Sequence, residues 1–349
     1  MENGFRILLN NKDITVVVQG PVHSLPERPQ DDGITIRCLN SVRAELPGAK
    51  IILSTWENQN LDKLDYDELV INEDPGPNIR GYTPSGKPRL ENTNRQIVST
   101  AGGLRRVQTK YAMKLRADNY LTGSGFKDLQ QRYIKRCDEF QILHERIVVT
   151  NTLLRIYYRG HHVAFFLSDF FGFGLTEDLM NLWDLTLFED FQFDPGLKGA
   201  NQHSGAPWPT PDVNQILAQR FINKNCAEKL KIQHAFDTHG GLLKQSDIFY
   251  ANNFVVMTPE EIGFGLPLKF TQGRQAKHSS QTTCLASSEW QRLYKKHCDH
   301  TYQPPAAGLA LLNLWIMRLI FVPLRALGYE YRLQRNRWRY RQVKNKNCL

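Results

Sequence analysis

The sequence lacks several patterns that mark common classes of functional site. Its six cysteines are scattered without a CxxC pair, so neither a zinc site nor a disulfide framework is indicated. No GxGxxG motif follows the first predicted strand, and no GxxxxGKS/T motif occurs anywhere. A dinucleotide-dependent oxidoreductase and a P-loop enzyme are therefore disfavoured, and reduced cytosolic thiols are expected.

The first twenty residues also lack the features of a secretion signal. They contain no basic leader and no small-residue cleavage site, and Ile7-Leu8-Leu9 is the only apolar run before the first predicted strand. We therefore expect the protein to stay on the cytoplasmic side.

Negative charge is scarce at the carboxyl end of the chain. Residues 318–349 contain nine Lys or Arg and one acid, Glu330, so this segment carries +8 of the net charge of +9. The basic residues follow the apolar run Ala306–Met317. An apolar run followed by positive charge is typical of a segment that lies on an anionic membrane surface.

The tail predicts an amphipathic helix that lies flat rather than spanning the membrane. Arg318 and Pro323 interrupt the apolar run, and 306–317 is shorter than the roughly 20 residues that a spanning helix needs. Four arginines recur every seven residues and therefore lie near one face of a helix: Arg318, Arg325, Arg332 and Arg339. Aromatic side chains are available at headgroup depth: Trp315, Tyr329, Tyr331, Trp338 and Tyr340. A helix packed on the core with a solvated basic end, and RNA binding, are the alternatives; we expect no nucleic-acid partner.

Along the body, β-branched apolar runs alternate with segments of helical spacing. Strands are predicted at 13–18, 50–56, 69–71, 111–121 and 147–150, with helices at 35–46 and 92–107. This alternation predicts an α/β fold with a mostly parallel sheet covered by helices on both faces. In such sheets, ligands bind beyond the carboxyl ends of the strands.

Polar and aromatic residues collect at those predicted strand ends. The run Tyr111–Leu121 is the most informative, because it delivers a carboxylate and basic groups to one point, where a divalent ion and phosphate oxygens find partners. The candidate nucleotide-sugar-binding residues are Gln19, Gly20, Pro21, Trp56, Asn94, Arg95, Lys114, Arg116, Asp118 and Asn119. A solvated Asp-Asn turn is the alternative for 118–119.

Several stretches together resemble a known family. They are ITVVVQGPV, SVRAELPGAKIILSTWE, NRQIVST, YAMKLRADNYL and SDFFGFGLTEDL, and the chain is similar across most of 13–270 to the WavE family of lipopolysaccharide-synthesis proteins. The resemblance implies a GT-A-like glycosyltransferase in which Asp118 meets a metal, Mn²⁺ or Mg²⁺, or a ribose. The sequence has Arg116-Ala117-Asp118-Asn119 in place of the usual Asp-x-Asp, so Lys114 and Arg116 are alternative sources of positive charge.

The second half of the body is expected to hold the acceptor. Asp169 is the first candidate for a general base, because it follows the predicted buried strand 163–167. Asp212 is the second, after the rigid Pro-rich loop 207–211. Either aspartate is alternatively an N-cap or turn residue. His161-His162 and His203 lack the spacing of a metal site and are read as loop residues.

These patterns predict a membrane-peripheral glycosyltransferase on the inner face of the plasma membrane. It would move a sugar from a nucleotide-sugar donor to a lipid-linked surface glycan. Residues 1–300 would form the catalytic domain, with a nucleotide half at 1–125 and an acceptor half at 126–300, and 301–349 the membrane tail. A sugar nucleotidyltransferase and a non-catalytic, membrane-anchored assembly protein remain the alternatives.

Overall fold

The computed structural model describes residues 9–22, 33–82, 87–191, 208–272 and 282–346. Among them are thirteen strands: β1 Ile14–Gln19, β2 Lys50–Trp56, β3 Glu68–Asn72, β4 Asn78–Tyr82, β5 Pro88–Glu91, β6 Tyr111–Arg116, β7 Tyr120–Leu121, β8 Ile147–Thr150, β9 Arg155–Tyr158, β10 His161–Phe166, β11 Phe171–Leu175, β12 Phe254–Met257 and β13 Phe264–Gly265. The α-helices of the same residues are α1 Ile34–Glu45, α2 Thr93–Leu104, α3 Gly125–Arg132, α4 Thr176–Trp183, α5 Val213–Asn225, α6 Leu242–Asn253, α7 Pro259–Ile262, α8 Leu268–Thr271, α9 Ser287–His297 and α10 Leu309–Lys346.

Seven strands form one mixed sheet in the order β12-β8-β11-β6-β1-β2-β3. Only β11 among these seven is antiparallel to its neighbours, β6 and β8, while β1, β2, β3 and β6 pair in parallel. All six residues of β1 are buried, as expected for a strand that lies between neighbours and under helices. The predicted α/β fold with a mostly parallel sheet is therefore confirmed.

Helix α2 lies close to the sheet because it carries two adjacent glycines. A Cβ at Gly103 would overlap Val17 of β1, and a Cβ at Gly102 would overlap the Asn72 side chain at the end of β3. The helix was predicted at 92–107 in spite of these glycines. The structure shows that they permit the close helix–sheet packing.

Two predicted strands differ from the observed ones. The fourth ends at Arg116 instead of Leu121, because the backbone N–H of Asn119 turns back to the carbonyl of Arg116, at 2.9 Å. The strand predicted at 163–167 belongs to β10, which pairs with β9 in a separate two-stranded sheet. Asp169 therefore lies in the loop between β10 and β11, not at the end of a strand of the main sheet.

Helix α10 continues through Pro323 without interruption. By length and composition its segment Leu309–Arg335 is sufficient to cross a membrane, with a mean hydropathy of 1.6 over an 18-residue window. This segment is longer than the apolar run 306–317 on which the sequence-based expectation rested, because the helix continues through Arg318 and Pro323. One face of the helix lies against the body, and the other exposes large apolar side chains: Leu309, Leu312, Ile316, Leu319, Ile320, Leu324 and Leu327.

The expectation that Tyr329 lies at headgroup depth is wrong, and Arg318 also faces the body. Arg318 is 7% exposed, forms an ion pair with Glu289 of α9, and donates to the carbonyl of Cys284 at 2.7 Å. Tyr329 is buried in a cluster with Phe236, their ring centroids 5.6 Å apart. Arg325 also faces the body, where it donates to the Thr282 hydroxyl at 3.1 Å. The seven-residue arginine spacing therefore begins on the docked face of the helix.

We expect Arg318→Met to destabilise the protein by about 3 kcal/mol, because the largely buried Glu289 carboxylate would lose its cationic partner. Urea unfolding followed by circular dichroism measures this change. In the double variant Arg318→Met/Glu289→Gln, most of the loss should be recovered. Arg332→Gln, at an exposed position on the same helix, serves as the control and should change the free energy of unfolding by less than about 0.5 kcal/mol.

Candidate active site at the carboxyl ends of the parallel strands

A cavity of about 1000 Å³ opens beyond the carboxyl ends of β1, β2, β3 and β6. The four strands are adjacent in the sheet, so their last residues meet at one edge. The candidates from the sequence that line this cavity are Gln19, Gly20, Pro21, Trp56, Arg95, Arg116, Asp118 and Asp169. The structure thus brings together residues from four strand ends, and their roles in binding remain predictions.

The wall beside β1 is fixed by a chain of hydrogen bonds. Asn72 donates to the Ser54 hydroxyl at 2.9 Å, Ser54 donates to the carbonyl of Ser99 at 2.6 Å, and the Ser99 hydroxyl donates to Gln19 Oε1 at 2.7 Å. Gly20 then turns the chain with φ of 113°, a left-handed value that favours glycine. Strands β1, β2 and β3 and helix α2 therefore hold Gln19 in one orientation.

Asp118 lies in the turn after β6 and is only 7% exposed. Arg116 donates to both of its carboxylate oxygens, Nε at 2.9 Å and Nη2 at 3.0 Å, and the Lys269 ammonium of α8 donates to Oδ2 as well. Burial alone would raise the pKa of Asp118, but the hydrogen bonds and charges of Arg116 and Lys269 outweigh it and hold that pKa well below its usual range. Asp118 is therefore an ionised carboxylate between two cations.

Aromatic rings support both cations. The guanidinium of Arg116 lies 5.0 Å from the centroid of the Phe170 ring, and the ammonium of Lys269 lies 5.1 Å from that of Phe270. The two rings contact each other edge to face, with centroids 4.8 Å apart. This packing joins the loop after β10 to helix α8 and restricts both cationic side chains.

Lys114 lies beneath the cavity and does not line it. Its side chain is fully buried, its ammonium donates to the backbone carbonyl of Asp169, and it lies 4.6 Å from the centroid of the Trp183 ring. Lys114 faces the same side of the sheet as Arg116, but its side chain ends at the Asp169 carbonyl and the Trp183 ring and does not reach the cavity. In this position Lys114 supports the Asp169 loop.

Asp169 lines the cavity from a loop with several fixed points. Besides Lys114, the side chain of Gln96 donates to its backbone carbonyl at 3.0 Å, and the neighbouring Ser168 hydroxyl donates to the carbonyl of Thr152 at 2.7 Å. The backbone of Asp169 is therefore held in place at the edge of the cavity.

Asp212 acts as the N-cap of helix α5. Its side chain accepts a hydrogen bond from the backbone N–H of Asn214 at 3.2 Å. The backbone N–H of Asp212 donates to the side-chain oxygen of Gln215, which completes a capping box. Burial raises its pKa. Asp212 does not line the cavity, although Asn214 and Leu217 of the same helix do. The sequence left Asp212 as either a general base or an N-cap, and the geometry favours the N-cap.

Three further candidates have structural partners. Asn94 exchanges two hydrogen bonds with the backbone of Phe188, at 2.7 and 2.8 Å, and does not line the cavity. Arg95 lines the cavity but forms a bidentate pair with Asp74, at 2.6 and 2.7 Å. Asn119 is fully buried and donates to the carbonyl of Gly265 at 3.2 Å. The amides of Asn94 and Asn119 thus anchor the surrounding loops.

The histidines stand apart from the cavity. His161 stacks on Phe236 with ring centroids 4.5 Å apart, near Trp208, and His162 is exposed on the same hairpin. Neither residue lines the cavity. His203 lies outside the described residues.

Sequence reasoning gave little weight to Lys269 and to the α5 residues that close the cavity. Lys269 is separated from Asp118 by about 150 residues of sequence and belongs to no motif. Asn214 and Leu217 likewise carry no signal beyond helical spacing, and Gln96 of α2 belongs to the NRQIVST stretch without being singled out in it. Their roles follow only from the packing of α2, α5 and α8 around the strand ends.

The residues around Asp118 do not fit Mn²⁺ or Mg²⁺. Both carboxylate oxygens already accept hydrogen bonds from cationic side chains, and a divalent ion there would meet the positive charges of Arg116 and Lys269. The part of the chain that the structure describes contains no group of three or more His, Cys, Asp or Glu that could hold a metal ion. We therefore derive no catalytic step through a metal.

The fold defines an α/β protein whose mixed sheet has a charged cavity beyond its parallel strand ends, the edge at which open α/β sheets generally bind ligands. The chain belongs to the WavE lipopolysaccharide synthesis family, whose model matches residues 14–322. The matched region includes the whole sheet, every cavity residue and the first part of α10. A comparison with curated proteins finds no match.

The environment of Lys114 generates a prediction about stability. Burial lowers its pKa to about 7, from an ordinary value of 10.5. The folded protein then binds fewer protons than the unfolded chain between these two values, so this lysine makes the free energy of unfolding rise as the pH rises from about 7 toward 10.5.

We expect Lys114→Met to lack the part of this pH-dependent rise in the free energy of unfolding that Lys114 contributes. The stability of the wild type relative to the variant should increase between about pH 7 and pH 9 in urea titrations. Lys110→Met removes the exposed lysine directly before the same strand and is the control for the loss of a lysine side chain. A difference between the wild type and Lys114→Met that does not change with pH would contradict the lowered pKa of Lys114.

Proposed function

We propose that the protein is a glycosyltransferase of lipopolysaccharide or related polysaccharide synthesis, which moves a sugar from a nucleotide-sugar donor to a lipid-linked glycan. Membership of the WavE family supports the pathway. The sheet, with one antiparallel strand among parallel ones, is compatible with the GT-A-like arrangement that the family resemblance implies. The observation that carries the proposal is one cavity that contains both a buried cation pair, Arg116 and Lys269, and a separate carboxylate, Asp169.

The donor is proposed to lie along the ends of β1, β2 and β3. The Gly20-Pro21 turn lines the cavity there, and Trp56 supplies a ring at the end of β2 against which a base or ribose can pack. Arg116 and Lys269 lie next along this edge, where the diphosphate would be. A nucleoside diphosphate gains negative charge as it leaves the sugar, and preorganised cations stabilise that charge in the transition state.

The acceptor is proposed to enter on the side of Asp169 and α5. The Asp169 carboxylate would take the proton from the acceptor hydroxyl while that oxygen attacks the anomeric carbon. The bond between the anomeric carbon and the phosphate oxygen breaks, and its electrons leave with the diphosphate. Gln96 and Lys114 act as positioning residues in this scheme, because both hold the backbone carbonyl of Asp169.

The two candidate bases can be separated by matched substitutions. Asp169→Asn should lower turnover by roughly two to four orders of magnitude with little change in donor affinity, because it removes the proton acceptor. Asp212→Asn should keep turnover within a few-fold, since asparagine is as good an N-cap as aspartate. Single-turnover kinetics with radiolabelled donor, and calorimetry for affinity, measure the two effects.

Two results would count against this assignment. If Asp212→Asn is the inactive variant, the acceptor approaches from the other side of α5. If both variants keep substantial activity, neither carboxylate is the base.

The exposed face of α10 is proposed to insert into the cytoplasmic leaflet while the opposite face stays docked on the body. Spanning would require separating Arg318 from Glu289 and moving the arginine into hydrocarbon, which is costly. Lying flat keeps that ion pair and places apolar side chains such as Leu319 and Leu327 among the lipid chains. Such an anchor would bring the cavity close to lipid-linked acceptors.

We expect the triple variant Leu319→Gln/Leu324→Gln/Leu327→Gln to lose most of its binding to anionic vesicles, at low and at high salt. Each exposed leucine contributes on the order of 2 kcal/mol on insertion, and this apolar contribution is insensitive to screening. Co-sedimentation measures the change. Ile134→Gln, a position on the body that is as exposed as Leu319 at 77%, is the matched control. Equal pelleting of all these proteins would rule out this face as the anchor.

A further inference from the structure

The contacts of Asp118 bear on how a diphosphate would be held. Asp118, Arg116 and Lys269 all line the cavity, and they come from two separate parts of the chain, the β6 turn and α8. Their side chains are largely buried, with 9%, 23% and 12% exposed respectively. Buried charges persist only when they are paired, so the carboxylate holds the two cations in place.

The three side chains carry a net positive charge, and Arg116 has a donor that no described residue takes. Two cations and one carboxylate leave a net charge of +1. Arg116 binds Asp118 through Nε and Nη2, and its Nη1 donates to no other residue in the described part of the chain. The rings of Phe170 and Phe270 restrict the directions that the cations can take. The group is therefore preorganised to receive an anion with two or more oxygens.

A divalent cation and this group exclude each other. To coordinate Asp118, the ion would have to displace hydrogen bonds from Arg116 and Lys269 and then remain beside both positive charges. A diphosphate needs no such rearrangement, because its oxygens add to the cations from the cavity side.

We propose that Arg116 and Lys269, held by Asp118, form a pyrophosphate-binding site that takes the diphosphate of the nucleotide donor without a divalent cation. This inference rests on the proposed function, since it concerns the same cavity. It assigns Asp118 to positioning the two cations instead of to metal coordination.

The test is calorimetric titration of the full-length protein with UDP, CDP, GDP, ADP and dTDP, each in EDTA and each in Mn²⁺ or Mg²⁺. At least one of these nucleotides should bind, with affinities in EDTA and in metal that agree within about threefold. Binding that requires metal would overturn the inference and leave the proposed function standing. No binding of any of them under either condition would overturn both.

Variants identify the residues. In EDTA, Lys269→Met and Arg116→Met should each weaken binding of the responsive nucleotide by about 10- to 150-fold, as expected for one charge-assisted hydrogen bond. Lys269→Arg should retain most of the affinity, because it keeps the positive charge. This result would show that Lys269→Met binds weakly because it lacks the charge and not because position 269 tolerates no substitution. Lys231→Met, which removes an exposed lysine away from the cavity, should bind as the wild type does. Unchanged affinity in both Met variants would overturn the assignment.

Asp118→Asn separates the two models most sharply. If Asp118 coordinated a metal, this variant would lose the binding that depends on Mn²⁺. If Asp118 positions Arg116 and Lys269, the variant should bind the nucleotide more weakly than the wild type by the same factor in EDTA and in Mn²⁺, because the two cations lose the carboxylate that holds them.

Discussion

The parallel pairing of β1 with β2 on one side and β6 on the other is the constraint on which the site depends. In this register Gln19 lies level with Ser54 and with Arg116, so the last residues of three strands reach the same edge. Strand β3 extends the edge by pairing Asn72 with Trp56. A cavity at this edge follows from parallel pairing, because the chain must leave each strand on the same side. Helix α2 then closes it, since its two glycines allow it to lie against β1 and β3.

The charge state of each buried cation on β6 depends on the partner that its side chain meets. Lys114 and Arg116 are two residues apart on β6 and therefore face the same side of the sheet, yet their ends meet different partners. Lys114 stops at the Asp169 carbonyl beneath the cavity wall, where burial lowers its pKa. Arg116 lies beyond the strand end and keeps its charge, because the Asp118 carboxylate outweighs burial and raises its pKa. One lysine thus supports a loop, while the arginine contributes to the cavity.

Helix α10 combines a docked face and an exposed apolar face in one element. Gly160, in the β9–β10 turn, allows the helix backbone near Ala326 to approach so closely that a Cβ would overlap it. The same hairpin leads through β10 to Ser168 and Asp169. The helix that we propose to lie on the membrane is therefore packed directly on the hairpin that leads to the proposed base. This packing fixes the position of the proposed membrane surface relative to the cavity.

The sequence by itself determined the fold class, the helix α10, the family and the strand ends at which ligands would bind, because apolar period, turn residues and local motifs are short-range signals. It could not determine the partners of the charged side chains. Lys269 reaches Asp118 across about 150 residues, and Arg318 meets Glu289 of another helix, each through packing that no local pattern records. Tertiary structure decided these roles, since the energy of a buried charge depends on which opposite charge the fold brings within hydrogen-bonding distance.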